Sequence, residues 1–268
     1  MKIFRKIRQK LIGESKSKKY VIYAIGEVAL IIIGILMAVS INNWNEQKSD
    51  RVSERQYLTS LVNELDKDIT KSESAISGNE ILLGGIHDLL QLLAEPNDSS
   101  NYWRKVYMHS IKDTYWYMSV NYSESTLGQL INNHEIELIT DQELTTAILK
   151  YERALVVYKN QQTYMKSYFH EMEETQKSLF DLRLARKAFI FIEESHTNML
   201  KPIDDFQELI EVGNYVIDKD PITMSTYYGD ILYYESNFKY LTALLKEQKN
   251  LALNLKTLVD SKYGIRVE

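Results

Sequence analysis

The chain has 268 residues, no cysteine, three prolines and ten glycines, and a net charge of −5. Without cysteine it has no disulfide, no thiolate nucleophile and no thiolate metal site, and so few prolines and glycines favour long helices over a loop-rich β fold. Residues 1–19 carry a net charge of +7 and the chain beyond Glu27 about −11, which excludes nucleic acid as a partner of the acidic bulk.

The leader KIFRKIRQKLI (residues 2–12) places Ile3, Phe4, Ile7 and Leu11 on one helical face among basic residues, the pattern of a short helix lying on an anionic lipid surface. Gly13-Glu14-Ser15 breaks it. Tyr20 to Ile41 follows, with twelve Ile, Leu or Val among its 22 residues. As a helix it is roughly 33 Å long, the thickness of a bilayer core. Tyr20, Tyr23 and Trp44 stand at its ends, where amphipathic rings favour the headgroup layer. These features predict a cytoplasmic leader over 1–19, a transmembrane helix over 20–43 and a domain over 44–268.

Basic residues crowd before the span and mix with acids after it, so the positive-inside rule keeps the N-terminus in the cytoplasm of a bacterial inner membrane and exports the bulk to the periplasm. The competing reading is a cleaved signal peptide ending at Ala38-Val39-Ser40. Glu27 has two readings of its own. It snorkels to the cytoplasmic headgroups, or it meets another helix through the face it shares with Leu30, Gly34 and Ala38, a small-xxx-small arrangement.

No proline or glycine intervenes between Ile41 and Ile76, so the membrane helix is expected to continue as a stalk, with Leu58, Leu61, Leu65 and Ile69 on one seam. Gly78-Asn79 is a candidate turn before a helix over Ile81–Leu93, which Pro96 ends. Ser99 or Ser100 caps the next helix, which runs through His109, and TYWYMSV beyond Asp113 reads equally as helix or strand. A short helix spans Glu124–Ile131, Asn132-Asn133 turns, and Glu135–Ile139 links onward.

Thr140 and Glu143 form a capping box for a helix of about forty residues, its seam running from Leu144 through Ile148, Tyr151, Leu155 and Tyr158 to Leu179. A bend is expected near Arg183–Lys187, and a helix from Pro202 through Phe206 and Ile210. Asp220-Pro221 caps the last helix, whose seam carries Ile231, Tyr234, Phe238, Leu241 and Leu245, and Gly264 closes it.

The block GEVALIIIGILMAVSINNWNE, residues 26–46, after FRKIRQKL, resembles the bacterial family known as domain of unknown function 6090. The stretch TLGQLINNHEIELITDQELTTAILKY, residues 126–151, is similar to that family's second block. It departs at Ile131-Asn132-Asn133-His134, where members read closer to Leu-Ser-Ser-Gly-Asn. The resemblance implies an inner-membrane protein with an exported helical domain, and it brings no biochemical activity with it.

Chemistry-bearing motifs are sparse. The five histidines, His87, His109, His134, His170 and His196, form no helical pair, and His170 with Glu173 and Glu174 lacks the second cluster that a di-metal bundle needs. No phosphate loop or nucleophile elbow is present, so the expectation is no catalytic residue, no metal and no cofactor. Most of the nineteen tyrosines fall on helical seams as packing, while Trp116, Tyr227, Tyr228, Tyr233 and Tyr234 are the candidates for lining a ligand pocket.

The chain is therefore expected to be all-α: a single transmembrane helix followed by an elongated antiparallel helical bundle of coiled-coil-like seams. Its expected function is that of an interaction or scaffold module with a protein partner in the membrane or envelope, homo-oligomers included, and it is not expected to be an enzyme. A ligand-sensing bundle signalling laterally to a membrane partner is the alternative, and an envelope enzyme the third reading.

Overall fold

A helix begins beside the apolar run and does not stop at its end. In this computed structural model, which describes residues 17–266, α1 spans Ser17–Ala94. The expected interfacial helix over 2–12 lies outside the described residues. After α1 come α2 (Ser100–Asp113), α3 (Ser125–Asn132), α4 (Gln142–Leu179), α5 (Arg186–Glu194) and α6 (Pro221–Tyr263), with short 3-10 turns between them. The described residues contain no strand, only an isolated antiparallel bridge between Phe180 and Val216. The chain divides into two units, residues 1–56 and 57–268.

In the first unit the helix carries aliphatic side chains all round, and its long apolar window has no buried share. Near its end polar contacts begin, with Lys48 Nζ 5.9 Å above the Trp44 ring and Arg51 paired to Glu54 at 2.6 Å.

The second unit is organised by period. Leu58, Leu61, Val62, Leu65 and Ile69 of α1 pack with Leu144, Ile148, Tyr151 and Leu155 of α4 and Leu255 and Val259 of α6. A larger cluster continues the stripe through Leu82, Ile86 and Leu89, with Met165 and Met172 from α4 and Ile231, Phe238 and Leu245 from α6. Polar contacts fix the directions. Tyr164 meets Tyr233 (2.7 Å), Gln248 donates to the Tyr151 carbonyl (3.3 Å), and Lys262 pairs with Asp141 (2.6 Å). As α4 is ascended α6 is descended, so the two run oppositely. Lys246–Glu80 (2.7 Å), Lys249–Glu73 (3.7 Å) and Lys256–Asp66 give the same sense between α6 and the later part of α1.

Gly78-Asn79 is not a turn but two more residues of α1. Asn79 is fully buried, and its amide clasps the Met118 backbone, donating to O at 3.0 Å and accepting from N at 2.7 Å. A Cβ on Gly78 would lie 2.8 Å from Met118 Cγ, so the glycine is there for close approach. The segment 114–124 that docks here is neither helix nor strand. It is held by side chains standing on one face of α1. Both Asp68 carboxylate oxygens accept from Ser123 N at 3.0 Å, Lys71 donates to Asn121 O (3.0 Å), and Ser72 meets the Tyr122 hydroxyl (3.0 Å). Glu64 then accepts from the Thr126 amide and hydroxyl at the start of α3. From α4, the Tyr158 hydroxyl accepts from Val120 N at 2.8 Å, and burial pushes that phenol up to about 12. A buried backbone must find partners, and here side chains supply what a neighbouring strand would.

Two further boundaries differ from expectation. The N-cap of α4 is Asp141, not Thr140. The Asp141 carboxylate accepts from Leu144 N (2.9 Å), and its hydrogen bond with Lys262 holds the carboxyl below its usual range. An ionised cap suits the helix N-terminus better than a hydroxyl. The Pro202 helix is only a 3-10 turn, Ile203–Phe206. The chain must bury Phe206 and Ile210 and then return, so that Asp181 N reaches Tyr215 O (3.1 Å) and Ile217 N reaches Leu179 O (2.8 Å). Asp220 and Pro221 cap α6 as read, and Gly264 closes it in the left-handed conformation (φ 60°).

Candidate functional site

The sequence-flagged membrane face stands open. Leu30, Gly34 and Ala38 are exposed and Glu27 half-buried, and the aliphatic residues on the other sides, such as Ile31 and Leu36, are exposed as well. No heavy atom lies within 4 Å of where a Cβ on Gly34 would sit. This part of α1 is long and apolar enough to cross a membrane.

The five flagged aromatic residues do not share a cavity. Tyr227 is wholly buried, donating to Ser110 Oγ (2.7 Å) and accepting from Gln176 Nε2 (3.3 Å). Tyr234 is core packing beside Phe238, with ring centroids 5.7 Å apart. Burial raises both phenols well above the ordinary range, which suits them to packing and not to proton transfer. Tyr233 lies on the surface, bonded to Tyr164, and Trp116 packs against the His196 ring at 5.2 Å. Tyr228 lines an open cleft, of about 620 Å³, with Trp103, Met224 and Lys219, whose Nζ sits 4.8 Å over the Trp103 ring.

A different group has the geometry of a site. Along α2, His109 and Asp113 are one turn apart, and His109 Nδ1 lies 2.8 Å from Asp113 Oδ2. Lys112 Nζ donates to the other oxygen at 2.6 Å. Asp113 is completely buried and Lys112 nearly so. Removing such charges from water costs several kcal/mol per ion, so the pairing has to be tight. Room for it comes from α1: a Cβ on Gly85 would fall on the Asp113 carboxylate. His109 Nδ1 and Lys112 Nζ thus take one Asp113 oxygen each, and His109 Nε2 is left outside this group.

His109 also lines a polar cleft of about 630 Å³ between the end of α1, α2 and the 203–207 turn. Its walls carry Asp88 and Glu95 from α1, Arg104 and Lys105 from α2, and Asp204. Arg104 donates to the Gln207 carbonyl, and Gln207 Nε2 to Asp204 Oδ1 at 2.7 Å. The i, i+4 spacing of His109 and Asp113 was available in the sequence. The bare Gly85 opposite them and the 203–207 wall were not, because they come from distant parts of the chain.

Among the described residues no cluster of three or more His, Asp or Glu could hold a metal ion. His170 Nδ1 is 3.6 Å from Glu173, whose other oxygen is taken by Lys177 at 3.1 Å.

No curated protein and no solved structure matches this chain. A family model does, over residues 27–196, a stretch that takes in the apolar run from Glu27 on, the docked segment 114–124 and the whole of α4. The chain therefore belongs to the Family of unknown function (DUF6090).

Proposed function

We propose that this chain is a single-pass inner-membrane protein whose residues beyond the span form an exported interaction or scaffold module, not an enzyme. The observation that carries the reading is the apolar run of α1, whose large aliphatic side chains are exposed from 46% at Ile33 to 70% at Ile22. An aliphatic helix surface of this extent is stable against lipid, not water. The eight basic residues among the first nineteen support a cytoplasmic N-terminus and a periplasmic bulk. The second unit would then act as an elongated antiparallel bundle with coiled-coil-like seams, offering its helix faces to a protein partner in the envelope or to a second copy.

Because the chain has no native cysteine, single cysteines report topology cleanly. In intact spheroplasts a membrane-impermeant maleimide should label Ser49→Cys and spare Ser15→Cys, and the protein should resist carbonate extraction. Reversed labelling, release by carbonate, or a mature N-terminus at Ile41 would each overturn the anchored topology.

A further inference from the structure

The cleft beside His109 is lined by charges of both signs that do not meet. Asp88, Glu95 and Asp204 share it with Arg104 and Lys105, yet none of the five makes an ion pair among the described residues. Elsewhere on the same unit such neighbours close up, as in Lys246–Glu80 at 2.7 Å and Lys239–Glu235 at 2.8 Å. Opposite charges held apart across one concavity offer a ligand two poles.

The remaining polar atoms agree. His109 is pinned through Nδ1, and its ring, 12% exposed, lines the cleft with Nε2 making no other bond among the described residues. Arg104 Nε is buried with no acceptor, while its Nη2 is spent on a neutral carbonyl, a weak partner for a guanidinium. The volume, about 630 Å³, is in the range of small-molecule sites.

We propose that this cleft binds a small zwitterion, a short peptide with both termini free. Its carboxylate lies against Arg104 and Lys105, and its ammonium against Asp88, with the His109 ring beside it. Purely anionic ligands meet three carboxylates and purely cationic ones meet two cations, so neither satisfies both walls.

The test uses the full-length protein in detergent with three probes: trialanine, N-acetyl-trialanine and trialanine amide. Calorimetry should find trialanine bound roughly ten- to hundredfold more tightly than either capped form, the size of one charged hydrogen-bonding contact. In Asp88→Asn, trialanine and its acetylated form should become equal; in Arg104→Gln, trialanine and its amide should. If Arg104→Gln loses the native circular dichroism, Lys105→Gln carries the same expectation with no internal bond at stake. Equal binding of all three probes, preference for a capped form, no heat with trialanine at 10 mM (about the weakest useful affinity), or indifference to these substitutions would overturn the proposal.

Discussion

One helix carries two kinds of surface. Between residues 21 and 41 of α1 the large aliphatic side chains stand on every side and are exposed; from Leu58 to Leu89 most lie on a single stripe and are buried. Leu30 is 66% exposed and Leu58 not at all, though both are leucines in the same unbroken helix. Apolar content alone therefore says little about where a residue goes. Period decides: a stripe needs protein on one side, whereas an apolar surface all round needs a medium that is apolar everywhere. The polar residues divide in the same way. The later part of α1 uses Glu64, Asp68, Ser72 and Asn79 to hold the 114–124 segment and start α3, while the earlier part sets one charged residue, Glu27, within its run, and its Ser40 hydroxyl bonds the helix's own Leu36 carbonyl.

The sharpest way to break this comparison is to place the same charge in both regions. Leu155→Asp or Leu241→Asp puts an unpaired carboxylate on a packed seam at a cost of several kcal/mol, comparable to a small domain's whole stability. Full-length protein in detergent should lose the cooperative helical melt seen by circular dichroism. Ile33→Asp should leave that melt in place and instead weaken membrane retention, at about 2.5–3.5 kcal/mol near the midplane. Equal loss of the melt by Ile33→Asp would mean that the apolar run belongs to the folded core.

A smaller change sharpens the contrast. Gly85→Ala must displace the Asp113 carboxylate and with it the links to His109 and Lys112, so the unfolding midpoint should fall by the equivalent of about 1–3 kcal/mol. Gly34→Ala meets nothing within 4 Å, and should be neutral or gain up to about 1 kcal/mol of helix propensity. Chemical denaturation of the two variants decides. If they behave alike, Asp113 does not need the space that Gly85 leaves.

Subtler still is the effect of pH. Burial holds the Asp68 carboxyl above its usual range, against the opposing hydrogen bonds from Ser123 and Lys71. Between the ordinary and the raised value the folded chain keeps a proton that the unfolded chain has released. Asp68 therefore favours the fold increasingly as pH falls through that window, and costs stability as pH rises through it. Asp141 and Asp218 have the opposite sign: their carboxyls are held low, so what they contribute is lost as pH falls through their folded values. Asp68→Asn should make its largest relative gain above the window and lose it below. A wild-type-to-variant difference in midpoint that is flat across acid pH would contradict this.

Where periodicity or a cap acts within one element, the sequence was mostly legible, the α4 cap one residue beyond Thr140 being the exception. The seam of α4, the Asp220-Pro221 start and the Gly264 stop are local patterns with local causes. Gly78-Asn79 misled because a flexible residue beside a polar one has two uses, turning the chain or admitting another segment. Only the arrival of Met118 chooses between them. TYWYMSV stayed ambiguous for a related reason, since its backbone partners are side chains from α1 and α4, and no propensity encodes them. The aromatic candidates were read from abundance, but burial scattered them. The cleft beside His109 has a weaker sequence signature and a more unusual geometry.

The smallest expected effect concerns the exposed part of α1 and tests whether it has a preferred side at all. Glu27 lies on the face of Leu30, Gly34 and Ala38, where small residues let two backbones approach. If that face meets another helix, whether a second copy or a partner, then cysteines at Leu30 or Ala38 should crosslink in membranes more efficiently than cysteines at Ile32 or Leu36, which point elsewhere on the helix. Gly34→Ile would fill the approach and abolish the difference. Glu27→Gln would weaken it less, because an amide still forms hydrogen bonds; interhelical bonds of this kind are worth about 0.6 to 2 kcal/mol. If Glu27 snorkels to the headgroups instead, the glutamine variant should behave as wild type and Gly34→Ile should only make the span more apolar. Equal yields from all four cysteine positions would leave α1 with no preferred face in the bilayer, and the helix-contact reading of Glu27 would fall with it.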